Sequence, residues 1–150
     1  MTEVRVDAHE IEALARRLKE AGRGDLRKEL LRGIRQASKP TVLAIKARAR
    51  ERLPSSGGLA DRIARSSMGT RTRLGGKSVG VQIYARNAYN LRRINQGIVR
   101  HPVYGNRNAW VTQRVEPGWF DDPILERLDD VRDEIARVIE DVAAKLTAGL

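Results

Sequence analysis

The stretch from Ile94 to Pro123, INQGIVRHPVYGNRNAWVTQRVEPGWFDDP, decides how the rest of the chain is read. It holds both tryptophans, Trp110 and Trp119, the single phenylalanine, Phe120, and Tyr104. Pro102, Pro117 and Pro123 punctuate it, with Gly97, Gly105 and Gly118 between them. Large rigid side chains gathered where no helical period runs mark a docked loop or ribbon. Two short strands, 97–100 and 109–113, fit around a loop at 102–108, and Pro117-Gly118 turns the chain. Asp121 or Asp122 then caps a closing helix with Pro123 at its first position.

That closing helix is long by pattern. Ile124, Leu128, Val131, Ile135, Val138, Val142 and Leu146 recur three or four apart, which predicts roughly 24 helical residues. At the other end, Ile11, Leu14, Ala15 and Leu18 predict an amphipathic helix from near Asp7 to the stop at Gly22 and Gly24. Asp25 caps a second, longer helix reaching about Leu53, with Leu30, Ile34, Ala37, Thr41, Ile45 and Ala49 along its apolar side. Pro40 lacks a backbone donor and is expected to kink or split that helix near Lys39.

Pro54-Ser55-Ser56-Gly57-Gly58 breaks the pattern. Residues 59–66 predict two helical turns with Leu59 and Ile63 facing inward. The period then changes to two. Met68, Thr70 and Thr72 alternate before Gly75-Gly76, and Val79, Val81, Ile83 and Ala85 alternate after it, which predicts a β-hairpin. Residues 87–95 fit a short helix or a bridging turn. The expected class is α+β: long N-terminal and C-terminal helices packed on a small, mainly antiparallel sheet with a β-hairpin, forming one domain over 1–150.

Composition narrows the functions. Aromatic residues make up only 4% of the chain, so the core falls to Leu, Ile, Val and Ala. Cysteine is absent, which removes disulfides, thiolate catalysis and Cys-based zinc sites together. His9 and His101 are too far apart for a paired metal-ligand spacing. Ser55-Ser56 has no nucleophile elbow around it, and Asp121-Asp122 is better explained as a helix cap. Gly57-Gly58 and Gly75-Gly76 match neither a phosphate loop nor a dinucleotide fingerprint. No catalytic, cofactor-binding or metal-binding residue is predicted, and the chain does not read as an enzyme. The first twenty residues are charged and lack an apolar core segment, so no signal peptide and no membrane span are expected. That fits a protein of the cytoplasm, or one assembled there.

The net charge of +10 is unevenly placed. Residues 1–120 hold 25 Lys and Arg against 10 Asp and Glu, whereas residues 121–150 hold 4 against 9. A basic body with an acidic tail suits a phosphate-facing surface. It equally suits head-to-tail association, in which the acidic face of one subunit meets the basic face of the next. On the second helix, Arg27, Lys28, Arg32, Arg35, Lys39, Lys46 and Arg50 are the candidate basic face toward a DNA channel or a neighbouring subunit. No helix-turn-helix, zinc or aromatic RNA-binding signature accompanies them, so base-specific readout is not expected. In the aromatic segment, Trp110, Trp119 and Phe120 read as core anchors or as assembly contacts. Arg100, His101, Tyr104 and Arg107 beside them complete the candidate interface.

The aromatic segment also carries a resemblance. Its elements are Gly97, Arg100-His101-Pro102-Val103-Tyr104-Gly105-Asn106, Trp110-Val111, Val115 and Pro117-Gly118-Trp119-Phe120, with Pro123 opening the last helix. In these the chain resembles the neck, or tail-completion, proteins of long-tailed bacteriophages, often labelled minor tail proteins. The order of long helix, Gly/Ser break, hairpin, aromatic segment and closing helix is similar too. The resemblance implies a structural protein of the virion. It would form a ring, commonly a homo-hexamer, between the head-closure layer and the tail tube, around the DNA channel. Implied partners are copies of itself, adjacent connector, tail-terminator or tail-tube proteins, and packaged DNA through non-specific contact. The alternative is a sequence-independent nucleic-acid-binding protein of the bacterial cell. A small basic ribonuclease toxin ranks below both, for want of an acid–base pair.

Overall fold

Helical period and burial coincide at once in the first helix of the computed structural model, which describes residues 3–4, 8–75, 80–86, 91–103 and 106–149. Helix α1 (Ala8–Glu20) buries Ile11, Leu14, Ala15 and Leu18 on one side. Helix α2 (Gly24–Arg52) follows after a turn at Gly22, whose φ of 66° places it in the left-handed region. The Arg23 guanidinium donates to the Asp25 carboxylate at 2.9 and 3.0 Å, which with the Leu26 N–H holds that carboxyl down to about 2.

The helix runs unbroken through Pro40 and is not split near Lys39. Pro40 is exposed, while Ala37, Ser38, Thr41 and Ile45 around it are buried. Burial on both sides of the proline outweighs the missing hydrogen bond. Contacts along the chain gather into two compact units, with one division falling at Pro40/Thr41. Unit 1 comprises Met1–Pro40, Gly69–Tyr84 and Glu126–Leu150, and unit 2 comprises Thr41–Met68 and Ala85–Leu125. Length predicts one domain over 1–150, but each unit is assembled from separated segments.

Unit 1 is the helix-on-sheet part. Strands β2 (Met68–Arg73) and β3 (Gly80–Ala85) form where period two predicts them, with Val81 and Ile83 buried. The turn residues from Gly76 to Val79 lie outside the described residues. A third strand, β1 (Glu3–Val4), is not anticipated by the sequence. It pairs antiparallel with β3, Glu3 opposite Gln82 and Val4 opposite Val81, so β3 is central in the order β1-β3-β2.

The closing helix is two helices. Helix α5 (Asp121–Glu126) ends at Arg127, whose φ of −103° and ψ of 9° leave the helical region, and α6 (Leu128–Ala148) continues from there. An unbroken apolar stripe through Ile124, Leu128 and Val131 hides that break from periodicity. Helix α6 buries Val131, Ile135, Ile139 and Val142, and packs against α1. It also meets α2 closely. A side chain at Gly33 would collide with Val138, and the Lys145 ammonium reaches the Glu29 carboxylate. Glycine inside a helix costs about 1 kcal/mol relative to alanine, so its presence here reflects the approach of α6.

Unit 2 begins with the second part of α2 and the Gly/Ser break, where Gly57 and Gly58 take φ of 77° and 76°. Helix α3 (Leu59–Ala64) then buries Ala60, Ile63 and Ala64. Helix α4 (Leu91–Asn95) realises the short-helix reading of 87–95, of which 87–90 lie outside the described residues. Strands β4 (Ile98–Val103) and β5 (Asn106–Arg114) make a separate two-stranded antiparallel ribbon. They correct the expected loop at 102–108, most of which is strand. No helix among the described residues is long and apolar enough to cross a membrane.

Replacing Gly33 by leucine tests the α2–α6 approach. Helix propensity favours leucine, but the collision with Val138 is expected to lower stability by about 1–3 kcal/mol in urea unfolding. A more stable variant would show that the approach of Val138 imposes no constraint.

Candidate assembly interface

Chemistry-bearing side chains of unit 2 gather at the β4–β5 ribbon and its base. Opposite residues of an antiparallel pair share a face. Arg100/Thr112 and Pro102/Trp110 therefore lie on one face, and Val99/Gln113 and His101/Val111 on the other. Neither face holds a fully buried residue. Trp110 is 53% exposed, and Val103 and Val111 are exposed with it. The absence of a wet and a dry face explains why alternation underestimates both strands. The register shifts between Pro102 and Val103, at the kind of irregularity where a proline is tolerated in a strand.

The ribbon is preorganised around Trp110. Its indole N–H donates to the Arg107 carbonyl at 3.0 Å, and the Arg100 guanidinium lies 5.6 Å from the ring centroid. The polar edge of the tryptophan is thus satisfied inside the ribbon, and its apolar surface is left outward. His101 is exposed, with Nδ1 3.1 Å from the Pro102 carbonyl oxygen. Arg107 is exposed, and Tyr104 lies outside the described residues. Between the ribbon, α3 and α4 runs a cleft of about 830 Å³, lined by Leu59, Ile94, Ile98, Pro102, Arg62 and Arg93 among others.

The other two aromatics do a different job. Trp119 is fully buried and Phe120 nearly so, packed edge to face with centroids 5.5 Å apart at 74°. They are core anchors of unit 2, and of the three large aromatics only Trp110 offers surface to another molecule. Asp121 and Asp122 lie in the first turn of α5 and not before it, where the N–H groups at its start need an acceptor. The acceptor is Asn95, whose side-chain oxygen takes the N–H groups of Phe120 and Asp121 at 3.0 and 3.2 Å. Its amide nitrogen donates to the Asp121 carboxylate at 2.8 Å.

Asp122 instead receives the Arg52 guanidinium at 2.6 Å. The same guanidinium donates to the Pro117 carbonyl at 2.9 Å and lies 3.2 Å from Glu116. Two glycines admit this geometry. Gly97, at φ 91°, has no room for a side chain beside the Val115 carbonyl, and Gly118, at φ 85°, lies against the Asp122 carboxylate. Sequence reading misses Arg52 and Asn95, because the hydrogen-bond acceptors of Arg52 lie 65 and 70 positions away and the partners of the Asn95 side chain 25 and 26.

On α2, Arg27, Lys28, Arg32, Arg35 and Lys39 are exposed in unit 1. Lys46 and Arg50 belong to unit 2, the first half-buried, the second 3.7 Å from Asp61. No group of three or more His, Cys, Asp or Glu among the described residues is placed to hold a metal ion. Comparison with protein-family models, curated proteins and solved structures gives no match.

Three substitutions separate these roles. Trp119→Ala is expected to cost about 3–5 kcal/mol, and Asn95→Ala about 1–2 kcal/mol through the lost cap. His101→Ala should stay within about 0.5 kcal/mol of wild type. Thermal or urea unfolding decides; a His101→Ala loss as large as that of Trp119→Ala would reverse the assignment.

Proposed function

We propose that this chain is a structural protein of a tailed-phage virion, acting in the head-to-tail connector at the neck, or tail-completion, position. In this reading, copies form a ring, commonly six, that joins the head-closure layer to the tail tube around the DNA channel. It is assembled in the cytoplasm of the bacterial host, and its partners are its own copies and the adjacent connector, tail-terminator or tail-tube proteins. One observation carries the reading: the β4–β5 ribbon leaves Trp110, Val103 and Val111 uncovered on a base fixed by Arg52 and Asn95. An isolated two-stranded ribbon is marginal in water, and an exposed apolar surface on a fixed base suits protein–protein contact. Part of the resemblance to the neck proteins falls on the ribbon, at Arg100 to Val103, Asn106 and Trp110-Val111, and the rest on the segment at its base.

Light scattering and averaged electron micrographs of the purified protein, with its detection in phage particles, test the proposal. Rings or incorporation into particles are expected. Trp110→Ala should weaken assembly by on the order of tenfold or more while leaving the melting temperature within a few degrees of wild type. A protein absent from particles, monomeric throughout, and binding duplex DNA with steep salt dependence would replace this reading by the nucleic-acid-binding one.

A further inference from the structure

We infer that successive copies of this chain meet through a basic stripe on α2 of one copy and the acidic outer face of α6 of the next. The inference rests on the ring reading above and adds the contact that builds it. Lys28, Arg32, Arg35 and Lys39 are spaced four, three and four apart, so they line up on one side of the helix. The buried residues Leu26, Leu30, Ile34 and Ala37 occupy the opposite side. All four cations are exposed, and none is paired with a carboxylate among the described residues. Like charges at these spacings repel one another, which an isolated molecule leaves uncompensated.

Helix α6 presents the complement. Asp129, Asp130, Asp133, Glu134, Glu140 and Asp141 are exposed on the side away from Val131, Ile135 and Val142. Among the described residues only two of them are offset locally, Asp129 by Arg132 at 3.9 Å and Glu134 by Arg137 at 2.8 Å. The distances also match. Lys28 to Lys39, Asp129 to Glu140 and Asp130 to Asp141 each span eleven residue steps, about 16 Å along a helix. Both stripes face away from the core their helices share in unit 1, so one molecule cannot join them. A second copy can. A head-to-tail contact between the two faces is heterologous, and each copy then uses both faces, as ring closure requires. Duplex DNA would satisfy the basic stripe alone and leave the matching acidic one unexplained.

Charge reversal tests this in the full chain. One variant carries Lys28→Glu, Arg32→Glu, Arg35→Glu and Lys39→Glu; another carries Asp133→Lys, Glu140→Lys and Asp141→Lys. All seven positions are exposed, and a circular dichroism melt confirms that each variant folds. Sedimentation of wild type is expected to show self-association that weakens with added salt. Each variant alone should lose association by on the order of tenfold or more. An equal mixture of the two should recover it, since the acidic α2 of one then meets the basic α6 of the other. Wild-type association indifferent to salt, together with both variants assembling normally, overturns the charged contact and leaves the ring standing. Loss of duplex DNA binding without loss of assembly in the first variant also overturns it. A wild-type protein that stays monomeric at low salt overturns it as well, and its absence from particles would remove the ring reading too.

Discussion

Unit 2 depends on a single cation. Arg52, at the last turn of α2, gathers the Pro117 carbonyl, the Asp122 carboxylate and the Glu116 carboxylate around one guanidinium. Planar, charge-assisted donation to several acceptors fixes direction as well as distance, which a lysine in the same place would not do. From the other side, Asn95 takes two N–H groups at the start of α5, while its own carbonyl accepts from Gly118 at 2.8 Å. Between these two residues the segment Val115 to Asp122 has little freedom. Trp119 is thereby seated in the core, and β5 leaves the base of the ribbon along a defined path. That seat and α4 hold the base of the ribbon.

This arrangement explains what the sequence reveals and what it withholds. Amphipathic helices are legible because each repeats one local rule, and α1 and α2 follow Ile11, Leu14, Leu18 and Leu30, Ile34, Ala37 without outside help. The α+β class and the hairpin of β2 and β3 are legible for the same reason. What stays hidden is set by distance or by competing burial. Pro40 reads as a breaker, yet buried neighbours on both sides carry the helix through it. Arg127 reads as an ordinary helical residue, yet the chain leaves the helix there. Strand β1 has two residues and no period to detect. Among the candidate interface residues, Trp110 and Arg100 are legible as rare types in one loop-like segment. Trp119 and Phe120 look equivalent to Trp110 on paper, and only the packing separates core anchor from exposed surface. The partners Arg52 and Asn95 are invisible, since nothing local marks an arginine or asparagine that bonds across dozens of positions.

The ribbon and the charged stripes make different physical demands on a partner. Trp110, Val103 and Val111 gain by losing water, an effect that is short-ranged and insensitive to modest salt. The stripes on α2 and α6 act through a field that fades over about 8 Å at physiological ionic strength. Charges of this kind orient an approaching molecule and exclude wrong registers more than they hold it. In the proposed assembly, apolar contact would then hold what the charges have aligned. A protein with only the first device would stick without direction, and one with only the second would fall apart at high salt.

In the proposed ring, a heterologous contact carries one further constraint. Each copy that joins by its basic stripe still offers an acidic one, so growth ends only when the rotation between neighbours divides a full turn. Otherwise the same contact yields an open filament. The angle between copies is therefore as much a part of the function as the affinity. Rigid elements at the contact are what keep such an angle constant. Both stripes lie on long helices, twenty-nine residues in α2 and twenty-one in α6, and the two are clamped in unit 1 by Gly33 against Val138 and Glu29 against Lys145. A larger residue at Gly33 would change the angle between those helices before it changed any charge. In that ring, the close approach at Gly33 would be one place where curvature is set.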